Sequence, residues 1–256
     1  APDTTYTTEP ARRDITMRDI LSHTSGIGYA QIGSGTANAI YYKNKINGSI
    51  GTPYSTLEDV ITRLAKLPLF TQPGEEFHYG LNTDVLGYLI EVISGMPLDK
   101  YLQKKIFEPL GMKDTYFFLP KEKQARLVQL YTQQGSQTKL RIQDSLINLN
   151  GTFSRDFPKT LNGTYFSGGA GLASTAYDYA LFGQMLLNNG QLNGKRILSP
   201  ATIQLMTSNQ IGDRLMWGDT NKTRRFGLGF GILTEYAERT LMISAGSYGW
   251  DGMFAS

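Results

Sequence analysis

The 256-residue chain contains no cysteine. That absence excludes disulfides, thiolate zinc sites and a cysteine nucleophile, and it fits a cytosolic, periplasmic or secreted protein equally well. Histidine is nearly absent too: His23 and His78 are the only two, and no HExxH or paired-histidine spacing occurs. A zinc hydrolase is therefore not expected, and neither a metal nor a cofactor is implied. No apolar run approaches the roughly 18 residues of a membrane span. No Walker-type glycine-rich loop is present, which leaves nucleotide chemistry without support. No serine stands in Gly-x-Ser-x-Gly, so the strained turn that exposes the nucleophile of an α/β-hydrolase is missing. No signal peptide is visible in these residues, a silence that decides nothing if the chain has an upstream segment.

Charge of either sign gives no partner. The 25 Lys and Arg are scattered and set against 22 Asp and Glu, for a net charge of +3. The densest basic cluster, Lys222 to Arg225, reads as a solvated loop rather than a nucleic-acid patch. With 40% hydrophobic residues the chain can build a sizeable core, as one large domain or two closely packed ones. Asn-x-Ser/Thr sequons start at Asn47, Asn150, Asn162 and Asn221; the first three are Asn-Gly pairs, which turn chemistry explains better.

What is present is a succession of helix signals. Thr16 to Asp19 forms a capping box for a short helix that stops at Ser25-Gly26, and Ser55 to Glu58 forms a second. The helix after it carries the apolar stripe Val60, Ile61, Leu64 and Leu67. Residues 27–54 have no clear period and read as irregular. Apolar residues from Val85 to Ile93 fall at helical spacing with Gly95 as the stop, and Pro97 opens the next helix as its first residue, running to about Phe107. Alternation over 127–131 and 138–142 around Gly135-Ser136 predicts a hairpin. Helices are predicted from Thr175 to Asn189-Gly190 and after Ser199-Pro200. Two β-like runs follow, Phe226 to Leu233 and Thr240 to Ser247. The expected architecture is α/β (α+β): a mainly helical lobe over about 14–190, with an irregular insertion and a hairpin, packed on an α/β lobe over about 191–256.

One Ser-x-x-Lys occurs, Ser136 to Lys139. On a helix that spacing sets a lysine amine beside a serine hydroxyl as a local base. In a polar hairpin the two side chains would not share a face, so the match reads as coincidence. His23 reads as a structural histidine in a helix-ending loop.

Five blocks resemble the serine β-lactamase-like family, which spans class C β-lactamases, DD-peptidases and related esterases. They are Ile15 to Gly26 ("ITxRDLLxHTSG"), Pro73 to Gly87 ("PGxxFxYSN…LLG"), Ser94 to Thr115 ("SGxxxxxYxxxxIFxPLGMxDT"), Ser167 to Phe182 ("GGGGLxSTxxDxxRF") and Gly246 to Gly252 ("GxxGWGG"). They run in family order across nearly the whole chain. The resemblance implies a helical lobe on an antiparallel central sheet, and a nucleophilic serine in a Ser-x-x-Lys helix before the Ile15 block. It also implies further strands and a helix after the last block. On that reading this chain is an internal piece, incomplete at both ends and inactive alone, and its partners are the missing segments and a small ester or amide substrate.

The resemblance also assigns residues. Tyr79 matches the tyrosine of the family's Tyr-x-Asn motif, the group that takes the serine proton and later delivers it to the leaving group. A phenol ordinarily titrates near pH 10, so this role needs a cationic neighbour, which the Lys of Ser-x-x-Lys would supply. Leu81 stands where the motif has Asn; it removes a substrate-orienting amide and suggests an apolar pocket wall, with Asn82 one residue away as a possible substitute. Trp250-Asp251-Gly252 occupies the third motif, Lys/His-Thr/Ser-Gly, on a strand walling the site. Gly252 would let substrate approach the backbone and the Met253 N–H would donate to the oxyanion. Asp251 departs from the usual small residue. Gly168 and Gly169, with Gly171, either line the opposite wall or form a plain turn. Two functional readings follow: a serine hydrolase working through an acyl-enzyme, and a non-catalytic relative that keeps the fold as a sensor or binding module. Bacterial relatives act at the cell envelope or in the cytosol, and location stays open.

Overall fold

A computed structural model describes residues 4–30, 35–46, 54–133, 140–143, 146–148 and 152–252. Helix α1 (Met17–Leu21) is opened by the predicted capping box, in which Thr16 accepts from the Asp19 N–H and Asp19 accepts from the Thr16 N–H. Arg13 reaches the same carboxylate with bonds of 2.7 and 2.8 Å. Burial opposes ionisation of Asp19, but the hydrogen bonds from Arg13 and Thr16 outweigh it and hold its pKa well below the usual range. The stretch read as irregular contains helix α2 (Gly35–Lys43), whose Ala37, Ile40 and Tyr41 are buried. These three buried positions hold it against the core, so tertiary burial decides it.

Helix α3 (Leu57–Leu64) starts one residue later than expected: Thr56, not Ser55, is the cap, and Asp59 completes the box. Helix α4 (Asn82–Ser94) ends at Gly95 in the left-handed conformation, as the sequence required. Pro97 sits one place earlier than predicted, as the N-cap of α5 (Leu98–Leu102), because its ψ of 146° is extended. A π-helical turn (Gln103–Phe107) then continues into α6 (Glu108–Leu110), carrying the helix past Phe107.

A hairpin is present as antiparallel β1 (Tyr131–Gln133) and β2 (Leu140–Ile142), but its first strand begins only where the predicted one, 127–131, ends; Ser136 and Lys139 lie outside the described residues. Strands β3 (Leu146–Asn148) and β4 (Thr152–Ser154) pair next. Helix α7 (Ala176–Leu187) is capped by Thr175. The short ribbon β5 (Gln191–Leu192) and β6 (Lys195–Arg196) turns on Asn193-Gly194, both at positive φ, the conformation a two-residue hairpin favours. Ser199 caps α8 (Pro200–Met206).

The tail needs correcting. Phe226 to Leu233 is not one strand but the end of β7 (Arg224–Phe226), a turn, and β8 (Gly231–Leu233). Thr240 to Ser247 is not a strand: Thr240 belongs to helix α9 (Glu235–Leu241), capped by Thr234, and the helix ends at Met242 in the left-handed conformation. The end of this run meets the sheet at Leu233, whose N–H donates to the Ser247 carbonyl and whose carbonyl accepts from the Gly246 N–H, before β9 (Tyr248–Gly249). The resulting antiparallel sheet has the order β7-β8-β9.

One core cluster joins the chain's halves, with Phe107, Leu110 and Met112 packed on Met185, Leu186, Leu192 and Ile203. A second holds Ile27, Tyr29, Ile40, Tyr41, Ile61 and Leu81. Fully burying each such side chain contributes roughly 1.5–3 kcal/mol. The third cluster that matters here is aromatic: Phe77, Ile211, Met216 and Phe226, flanked by Tyr79 and Trp250. It lies where the 77–80 segment meets the sheet. Among the described residues no helix is long and apolar enough to cross a membrane.

Candidate active site

Two blocks some fifty residues apart in sequence form one unit around His23. The His78 N–H donates to the His23 carbonyl at 2.7 Å and the Leu81 N–H to the Gly28 carbonyl at 3.2 Å, so segment 78–81 runs alongside 23–28. Gly80 permits this approach, because a Cβ there would lie 2.0 Å from the Ile27 carbonyl oxygen. The His23 ring is buried against Phe77, Tyr79 and Phe226, with centroids 5.9, 4.7 and 5.3 Å away. Burial pushes its pKa down to about 3, so the imidazole is neutral at physiological pH. Asn82 Nδ2 lies 3.0 Å from Nδ1, which assigns Nδ1 as the acceptor and leaves the proton on Nε2. His23 is therefore a packing and positioning group, as the sequence suggested.

Tyr79 emerges from this unit at the edge of the aromatic cluster. Trp250 Nε1–H donates to its hydroxyl oxygen at 3.2 Å, and the two rings lie 5.3 Å apart. On its other side stands Tyr29, 5.4 Å between ring centroids. Burial first, and the nearby Asp84 second, raise the Tyr29 pKa well above the ordinary value, so Tyr29 acts as a neutral hydrogen-bonding group. Among the described residues no Lys or Arg hydrogen-bonds to Tyr79. Trp217, which the sequence reading did not select, closes the group: it stacks on Trp250 at 5.5 Å and 28° and meets Tyr79 edge-on at 5.8 Å. It is one of only two tryptophans in the chain, and that scarcity was its one signal.

The glycine loop packs against the first turn of α4. Ser167 Oγ donates to Asp84 Oδ1 at 2.6 Å and accepts from the N–H groups of Gly169 and Ala170. Tyr165 Oη donates to the same carboxyl oxygen at 3.1 Å. Asp84 is fully buried, and burial pushes its pKa up to about 6 in spite of these bonds. Gly168 is a packing glycine, since a Cβ would lie 1.9 Å from the Thr83 carbonyl oxygen. Gly169 is exposed, and its Cβ position is 3.1 Å from Tyr29 Oη, so this glycine does border the tyrosine pair.

The structure thus brings together Tyr79, Trp250 and, one shell away, Gly169. It does not bring Leu81 to them as a pocket wall. Leu81 is the N-cap residue of α4, with its side chain wholly enclosed in the core with Ile27 and Ile61. Asn82 does not replace the lost amide either: it is fully buried, accepts from Ser25 Oγ and faces His23. Trp250 follows β9 rather than lying within it. Asp251 is turned outward, 85% exposed and 3.8 Å from Arg224, so its charge does not face Tyr79. Gly252 is exposed, and Met253 lies outside the described residues.

Comparison with known proteins shows the family and the fold. The sequence matches the family described as Beta-lactamase over residues 2–256. The chain belongs to the beta-lactamase family. It is 31% identical to an uncharacterised Mycobacterium tuberculosis protein over 97% of this chain and 60% of that one. It is 32% identical to Esterase EstB of Burkholderia gladioli over 64% of this chain and 42% of the esterase. A putative D-alanyl-D-alanine carboxypeptidase of Salmonella enteritidis is 27% identical over 82% of this chain and 49% of its own length. The solved structure of EstCE1, a hydrolase with promiscuous acyltransferase activity, superposes with a TM-score of 0.74 at 26% identity, covering 91% of this chain and 60% of that one. The fold is accordingly that of β-lactamases and transpeptidases. The chain spans between 42% and 60% of the length of these relatives.

Proposed function

We propose that this beta-lactamase-family chain carries the proton-transfer tyrosine of a serine hydrolase that cleaves carboxylic esters through an acyl-enzyme. The nucleophile in this proposal is the serine of a Ser-x-x-Lys supplied by a segment not contained in residues 1–256, and these residues alone are inactive. Serine Oγ attacks the ester carbonyl carbon while its proton passes to Tyr79 Oη. The tetrahedral intermediate then expels the alcohol, which takes the proton back from Tyr79. Water attacks the acyl-enzyme in the same way, its proton moving through Tyr79 to reform the serine hydroxyl and release the acid.

The observation that carries the ester reading is the hydrogen bond from Trp250 to Tyr79 at the third motif. β-Lactams and D-Ala peptides present a carboxylate, which a cationic side chain at this motif would bind. Here the position holds an uncharged indole whose single N–H is already committed, and the adjacent Asp251 faces Arg224. Losing one charge-assisted hydrogen bond costs about 1.5–3 kcal/mol, or roughly ten- to a hundredfold in discrimination. The name of Esterase EstB points the same way, whereas the Salmonella relative's name points to peptides. The test compares kcat/KM for p-nitrophenyl butyrate and nitrocefin on the complete protein. A preference for the ester of tenfold or more is expected; equal turnover overturns the ester assignment.

A further inference from the structure

The loop between α8 and β7 holds a residue in an unusual state. Trp217 adopts a φ of +48°, a region that bulky side chains rarely enter, yet 58% of its surface is open. The preceding Met216 is buried with Phe77, Ile211 and Phe226. The Asp219 N–H donates back to the Met216 carbonyl at 2.9 Å, closing a tight turn through Gly218 at φ +74°. Anchor and turn together hold the indole out beside Tyr79 rather than inside the core, the kind of backbone cost that persists where the surroundings impose it.

On the same indole lies a cavity of about 360 Å³, lined by Trp217, Phe77, Leu215, Arg214, Glu75 and Glu76. Of its charged groups, Arg214 and Glu75 are already engaged, while Glu76 is an exposed carboxylate that disfavours an anionic ligand. Arg214 donates to the Glu75 and Ile211 carbonyls, and Glu75 is paired with Arg12. Trp217 and Phe77, edge to face with centroids 5.5 Å apart, form an aromatic corner. Trp217 is therefore a wall shared by this cavity and Tyr79.

We propose that the cavity is a subsite for a neutral aromatic ring on the leaving-alcohol side of the substrate, with Trp217 as the specificity-determining residue. The inference rests on the Tyr79 role given above, because Tyr79 hands its proton to the leaving oxygen and Trp217 touches Tyr79. An aromatic ring matches the indole face better than a saturated ring of the same shape, since ring pairs contribute beyond the apolar area they bury.

The test uses the complete protein, its Trp217→Ala and Trp217→Phe variants, and two matched esters, benzyl butyrate and cyclohexylmethyl butyrate. The wild type is expected to prefer the benzyl ester about fivefold in kcat/KM, Trp217→Ala to lose that preference, and Trp217→Phe to keep most of it. Binding of 2-naphthylmethanol, followed by NMR line broadening of the alcohol, should weaken by the same factor in Trp217→Ala. A preference unchanged in a Trp217→Ala variant with native thermal melting overturns the subsite. If the wild type cleaves neither ester, the naphthylmethanol comparison alone decides the subsite: binding lost in Trp217→Ala supports it, and equal or absent binding overturns it, while the hydrolase reading fails only if p-nitrophenyl butyrate is not cleaved either. Should Trp217→Ala not fold, Trp217→Leu takes its place, with the same loss expected.

Discussion

Trp250 Nε1 donates to Tyr79 Oη at 3.2 Å across 171 residues of sequence. The bond ties the end of the three-stranded sheet to the loop before α4, and it fixes where the tyrosine oxygen points. Replacing Trp250 with Phe removes the donor but keeps a ring against Phe226, now 5.0 Å away. A neutral hydrogen bond contributes about 1 kcal/mol, so kcat should fall about fivefold with KM little changed. Steady-state kinetics on the complete protein separate this from a simple wall, for which KM would rise and kcat would hold.

Stability should depend on His23 in acid. Its folded pKa, about 3, lies below the ordinary 6.5, so the unfolded chain takes up the proton first. The contribution is fully present above pH 6.5 and is lost as pH falls toward 3, at up to about 1.4 kcal/mol per pH unit. Asp84 acts in the opposite sense. Burial raises its folded pKa to about 6, so its contribution is present below its ordinary 3.8 and lost as pH rises through 6. Between pH 6.5 and 4.5 the two contributions largely offset, so urea unfolding at pH 6.5, 5.5 and 4.5 should show a nearly level wild type and a His23→Asn variant that gains stability as pH falls, where Asp84 acts without the histidine.

The two glycines of the 168–169 pair should behave differently. An alanine at Gly168 drives its Cβ into the Thr83 carbonyl, which is backbone and cannot turn away. A cost of about 3 kcal/mol is expected. At Gly169 the nearest atom, Thr83 Oγ1 at 2.5 Å, belongs to a rotatable side chain, so the cost should be nearer 1 kcal/mol. Thermal melts of both variants check the difference. Activity should track it in reverse, because Gly169 borders the Tyr29–Tyr79 pair and Gly168 does not.

Sequence reasoning reached what local chemistry encodes. Thr16, Thr175 and Ser199 cap their helices and Gly95 ends α4 because these residues satisfy terminal backbone groups wherever they stand. Helix α2 was not legible, because Ala37, Ile40 and Tyr41 give a single turn of helical spacing in a stretch otherwise rich in Gly, Asn and Ser. Thr240 to Ser247 looked like a strand from its β-branched and apolar residues, but the cap at Thr234 starts a helix that absorbs its first part. Tyr79 and Trp250 were legible through the family resemblance. Leu81 was misplaced because its motif position gives no side-chain direction, and that is set by where the Leu81 N–H meets Gly28. Trp217 sits in a loop without period, and only the fold brings it to Tyr79.

The most direct test of Tyr79 as the proton carrier is Tyr79→Phe in the complete protein, assayed for turnover of p-nitrophenyl butyrate. The phenyl ring keeps the contacts with His23, Tyr29 and Trp250, so folding should be nearly unchanged. A positioned proton carrier contributes at least about 10²-fold, so kcat should fall by that factor or more while KM changes little. Near-normal turnover in the Phe variant would contradict the role and leave Tyr79 as a packing residue of the aromatic cluster.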